Sequence, residues 1–232
     1  MYQDGHNASP VNPLPPAVVV VTLALAAPEL LFQVGSAGLI GGPQAVGWRI
    51  DAITSYGFFD TIFNWMLDTG NFPPEHLLRF FSYPFVNSSF SNAVFPVVLI
   101  LAMGKMVAEA FSQKAFLAIF VASVFVGALS YGLAPDSKLP LIGANPPAYG
   151  LIGAFTFMLF VKARVKGQSG IRAFALMAFL FGLELFFGLL FGLGKLWVAD
   201  LSGFVTGFVL SFFLAPGGAE RMLAAIAHVR RR

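Results

Sequence analysis

Residues 196–215 read Leu-Trp-Val-Ala-Asp-Leu-Ser-Gly-Phe-Val-Thr-Gly-Phe-Val-Leu-Ser-Phe-Phe-Leu-Ala, and two properties of this stretch decide the fold class. It is long enough for a helix to cross the ~30 Å hydrocarbon core, with Asp200 its only ionisable group. Gly203 and Gly207 form a GxxxG pair, which lets two helix backbones approach closely in lipid. The stretch therefore predicts a membrane span packed tightly on another span.

Five further apolar runs precede it, at 17–40, 90–111, 115–133, 145–161 and 173–193. Their boundaries carry helix signals. Pro16 opens the first where a helix start can spare an N–H, Ala134-Pro135-Asp136 ends the third, and Pro216-Gly217-Gly218 ends the sixth. The run at 145–161 adds Gly150 and Gly153, small residues on nearly one helix face. The chain of 232 residues is 57% hydrophobic and 11% charged, with a mean hydropathy of +0.79. A soluble domain is about a quarter charged, so this chain cannot cover a water-facing surface and the lipid bilayer is its natural solvent. The expected fold class is an all-α polytopic membrane protein of six transmembrane helices.

Residues 41–89 are too polar to span, with aromatics beside charges and breaks at Gly42-Pro43, Gly70 and Pro73-Pro74. They read as a long interfacial first loop of short helices. Counting Lys and Arg by alternate loops gives ten on one side and four on the other, which predicts a cytoplasmic location for both termini and an outward-facing first loop. The expected organisation is a cytoplasmic arm at 1–16, a membrane domain at 17–215 and a basic cytoplasmic tail at 216–232. The net charge of +3 reports orientation rather than a nucleic-acid partner. With no cysteine, disulfides, thiolate nucleophiles and Cys-type metal sites are excluded; no metal or cofactor is expected.

The string Gly143-Ala144-Asn145-Pro146-Pro147-Ala148-Tyr149-Gly150-Leu151-Ile152-Gly153 and the string Ala199-Asp200-Leu201-Ser202-Gly203-Phe204-Val205-Thr206-Gly207 resemble two motifs of the rhomboid intramembrane serine proteases. In active members the first begins Gly-x-Ser-Gly and the second reads Ala-His-x-x-Gly-x-x-x-Gly. The resemblance places Asn145 where the nucleophilic serine belongs and Asp200 where the base histidine belongs. In the first loop, Leu78-Arg79-Phe80-Phe81 retains the arginine of a Trp-Arg pair. Asn87 and Asn92 fall at two histidine positions, and Pro96 falls at an asparagine that helps stabilise the oxyanion. Asn92 and Pro96 are thus the oxyanion-equivalent positions. A glutamate expected four residues after Gly104 is Ala108 here, with Glu109 one later.

An asparagine amide is a very poor nucleophile, and a base without a nucleophile is not a catalytic dyad. Asn145 also suits a helix N-cap before Pro146, and its amide is placed to donate to the Asp200 carboxyl across a cleft. Ser202 and Thr206 lie on the same helix as Asp200, where hydroxyls bond back to carbonyls. Glu29, Glu184 and Asp200 are acids within predicted spans, with no Lys or Arg mid-span to neutralise them. The resemblance implies a rhomboid-like fold in the inner (plasma) membrane whose catalytic positions are degenerate: a pseudoprotease that binds or escorts other membrane proteins or transmembrane helices. Three rivals stand beside it: an active rhomboid-family serine protease, a structural subunit of a larger membrane complex, and a transporter using the three buried acids. The sequence leaves the oligomeric state open.

Overall fold

The computed structural model describes residues 13–134, 139–192 and 194–217. Within them the helices run α1 (Pro16–Ser36), α2 (Trp48–Tyr56), α3 (Asp60–Thr69), α4 (Pro74–Ser82), α5 (Phe90–Ala110), α6 (Gln113–Leu133), α7 (Asn145–Val165), α8 (Ala175–Phe191) and α9 (Leu196–Leu214). Six of them, with α8 prolonged by a 3-10 turn over Gly170–Phe174, are long and apolar enough to cross a membrane. The chain is a multi-pass α-helical membrane protein. Among the described residues the only β pairing is an isolated bridge between Phe58 and Leu141.

The helix ends follow local chemistry. Ser89 and Ser112 cap α5 and α6 by accepting from the backbone N–H of Asn92 and Ala115. Helix α1 stops short of the run that ends at residue 40, because Gly38 and Gly41 take left-handed φ values of 74° and 76°. Helix α7 runs past the expected residue 161 to Val165, which brings Lys162 and Arg164 to the negative end of its dipole. The expected arm at 1–16, apart from its last residues, the tail from Gly218 onward, Lys138 and Leu193 lie outside the described residues.

Helix α7 is the centre of the bundle, packed on α9, α6 and α5. Half of the α6 and α7 spans is buried, against 6% of the Gly170–Phe191 span, so α8 sits at the periphery. It docks through Met177, Leu180 and Phe181 against Tyr149, Ile152 and Phe204, while Leu189 and Phe191 remain exposed.

The glycines explain why α7 and α9 are so close. A Cβ at Gly207 would overlap the carbonyl oxygen of Gly150, one at Gly203 that of Pro146, and one at Gly153 that of Phe204. Backbone meets backbone at all three points, which no other residue permits.

The segment between α1 and α5 folds over the bundle end where α6 finishes and α7 and α9 begin. Phe58, Phe63, Phe80 and Tyr131 form its aromatic core, with centroids 4.8–6.4 Å apart. Arg79 donates to the Thr54 and Gly57 carbonyls at 2.8 Å, tying α4 to the end of α2. Tyr83, fully buried, donates to the Val124 carbonyl of α6 at 3.1 Å. Burial pushes its phenol well above the ordinary range, which keeps it a neutral donor.

Candidate functional site

Before α7 the backbone turns at Gly143, whose φ of 86° is left-handed and whose N–H bonds the Tyr83 carbonyl at 3.0 Å. The turn delivers Asn145 as the first residue of α7. The expected N-cap role does not hold: the cap position is Ala144, and no side-chain cap bond is made. The reason lies in the next residues. A cap side chain accepts from the second or third N–H of its helix. Pro147 has no N–H, and that of Ala148 is taken by the Ala144 carbonyl at 3.1 Å.

With no capping duty, Asn145 stands on the wall of two cavities. One, of about 560 Å³, is shared with Glu184, Leu185 and Leu189 of α8 and with Trp197 and Asp200 of α9. The other, of about 550 Å³, is lined also by Asn87, Ser88, Ser91, Asn92 and Phe95. The α7–α9 glycine contacts set this geometry, since Asp200 lies one turn before Gly203 and Asn145 directly precedes Pro146.

Asp200 is 3% exposed. Its Oδ1 is buried without a hydrogen-bond partner, and the expected donation from the Asn145 amide is not made. The Tyr149 phenol, one turn into α7, faces Glu184 of α8. Glu184 Oε2 and Asp200 Oδ1, on facing helices, are both buried without a hydrogen-bond partner. Tyr149 is the residue that sequence reasoning missed. The signal was present, because Tyr149 follows Asn145 by four positions and so shares its helix face.

Glu29 does not join these acids. It is held by Arg49 of α2 in a two-pronged pair, with distances of 2.6 Å and 2.7 Å, and Arg49 also donates to the Asn87 carbonyl and lies over the Phe32 ring. Glu29 thus has a cation, which the chain supplies from the loop rather than from a span. Across the bundle Lys195, just before α9, pairs with Asp60 at 3.1 Å and donates to the Ala134 carbonyl at 2.6 Å.

The hydroxyls near Asp200 are committed. Ser202 donates to Ala199 O at 2.8 Å, Thr206 to Ser202 O at 2.7 Å, and Ser211 to Gly207 O at 2.7 Å, all within α9. Ser123 of α6 donates to the Gly203 carbonyl at 3.3 Å. The described residues lining the larger cavity include no Ser, Thr, Cys or His. The second cavity holds Ser88 and Ser91, with no acid, His or Lys among its lining residues. There the Asn92 amide donates to Ser88 Oγ at 2.6 Å, and Pro96, buried in α5, lines neither cavity. His76 sits edge-on to Trp65, with centroids 5.9 Å apart, away from both. His6 and His228 lie outside the described residues.

A family model described as Rhomboid domain matches residues 74–217. The chain belongs to the rhomboid family. No curated protein matches it closely enough to name as a relative. The rhomboid match runs from the start of α4 to just past the end of α9, so it contains α7, α9 and both cavities. Helix α1, outside the match, completes the rhomboid bundle by packing on α5.

Proposed function

We propose that this rhomboid-family protein is a pseudoprotease: a membrane protein that binds transmembrane helices of other membrane proteins without cutting them. The observation that carries the reading is the composition of the cleft. Asn145 and Asp200 stand at the nucleophile and base positions and share one cavity, yet no hydroxyl or thiol among its described lining residues is within reach of a base. Amide hydrolysis by the serine mechanism needs that activated nucleophile and oriented donors for the oxyanion. The oxyanion-equivalent positions are equally changed: Asn92 is engaged by Ser88, and Pro96 has no N–H.

What the fold retains is the means to hold a helix. The larger cavity lies between the peripheral α8 and the α7–α9 pair, and Leu189 and Trp197 on its walls are exposed on the lipid-facing surface. A hydrophobic helix can enter from the bilayer there. In this reading the protein resides in the inner (plasma) membrane, with termini in the cytoplasm and residues 41–89 facing outward, as the ten-to-four distribution of basic residues favours. It takes no metal or cofactor.

Reconstituted protein incubated with a rhomboid-type transmembrane substrate, and separately with a fluorophosphonate probe, tests the proposal. The expected result is intact substrate and labelling no higher than that of denatured protein. Specific labelling, or a cleavage product, would make the chain an active protease by another constellation.

A further inference from the structure

If the cleft binds helices, as proposed above, its polar groups decide which helices it accepts. We infer that the Glu184–Asp200 pair selects a transmembrane helix that carries a basic side chain within its span.

Asp200 is 97% buried by its 3% exposure, and its Oδ1 has no hydrogen-bond partner; Glu184 Oε2, on the facing helix, has none either. Both residues line the cavity of about 560 Å³, a size typical of built ligand sites. Around them the walls are apolar, with Leu185, Leu189, Leu196 and Trp197. Acceptors left open in such surroundings are costly, and a donor that completes them is favoured by the same low dielectric.

Among the described residues the chain supplies no such donor from its own cations. No Lys, Arg or His is among the described residues that line the cavity. Lys195, nearest in sequence to Asp200, is turned to Asp60 and the Ala134 carbonyl, and Arg49 is bound to Glu29. The titratable groups that do face the pair are phenols: Tyr149 from α7, beside Glu184, and Tyr83, whose proton is given to the Val124 carbonyl. The described lining holds no cation, and the peripheral position of α8 leaves the bilayer side open for one to enter.

A lysine or arginine in the middle of a client span meets the complementary difficulty, because lipid offers it no anion. Pairing removes both costs together. Apolar helices lacking that side chain gain only van der Waals contact with the walls. The cleft therefore discriminates by charge, and its partner class is a marginally hydrophobic helix with an unpaired basic residue.

The test uses the full chain in nanodiscs and two fluorescent Leu-rich transmembrane peptides that differ at one central position, Lys against Leu. Binding of the Lys peptide is expected to be about tenfold tighter, the size of one good interhelical polar contact. In the variant Glu184→Gln/Asp200→Asn the two peptides are expected to bind alike, at the affinity of the Leu peptide. The wild-type comparison needs no variant, so misfolding of the double mutant does not blunt it. Equal affinity of the two peptides for the wild type overturns the charge inference while leaving helix binding intact. Binding of neither peptide overturns the helix-binding reading beneath it.

Discussion

Gly207 of α9 lies against the carbonyl oxygen of Gly150 of α7, so close that a single added carbon would overlap it. The contact and its neighbour, Gly203 on Pro146, hold the start of α7 beside Asp200 and so fix the cleft. Neither can be relaxed by a rotamer change, because the obstructing atoms are backbone. Replacing Gly207 or Gly203 with Leu is expected to destabilise the bundle by about 2–3 kcal/mol, the upper range for overpacking. Asn145→Ala, which removes an amide that makes no cap bond, is expected to change stability by less than about 0.5 kcal/mol. Unfolding midpoints in mixed micelles compare the three variants directly.

Restoring the two motif side chains is not expected to restore chemistry. In Asn145→Ser/Asp200→His the serine still precedes Pro146 where the motif has glycine, and Pro96 is still without a donor and lines neither cavity. Turnover of a transmembrane substrate by this double variant is expected to match the wild-type background. Measurable cleavage would show that the rest of the machinery is intact.

The Glu29–Arg49 pair ties α1 to α2, with Glu29 buried and Arg49 one-fifth exposed. Removing one partner leaves a charge uncompensated, at a cost of about 3 kcal/mol, whereas replacing both by apolar residues is expected to be near neutral. Arg49→Leu is therefore expected to lower the unfolding midpoint well below that of Glu29→Leu/Arg49→Leu. A double variant no more stable than the single would show that the pair is not what anchors the loop.

The spans were legible because each is an uninterrupted apolar run closed by Pro, Gly or a charge. The glycine pairs in residues 145–161 and 196–215 were legible for a similar reason: small residues one turn apart in a lipid-soluble helix have few uses besides close packing. The ion pairs were not. Arg49 is 20 positions from Glu29 and Lys195 is 135 from Asp60, so nothing local marks them, and both cations read as charges flanking a span. The Asn145 cap fails for a reason that the string itself contains. Two successive prolines leave one N–H in the first three helical positions, and the main chain claims it. The Glu184–Asp200–Tyr149 group was half visible: its acids stood out by depth, its phenol did not, since tyrosine is common on packed helices.

Topology provides a further check. Reporter fusions after Leu133 and at the C-terminus are expected to report the outer and cytoplasmic sides, following the ten-to-four split of basic residues. The opposite pattern would place the cavities and the short helices toward the cytoplasm and exclude an outward-facing cleft.

The most direct test of the account is to ask what occupies the cleft in living membranes, and in what state. A photo-crosslinking residue at position 189, on the exposed wall of the larger cavity, is placed to capture a helix lodged between α8 and α9. Ultraviolet-dependent adducts with a defined set of membrane proteins are expected, each at its full length. Adducts to cleaved fragments, or no protein adducts at all, would contradict it.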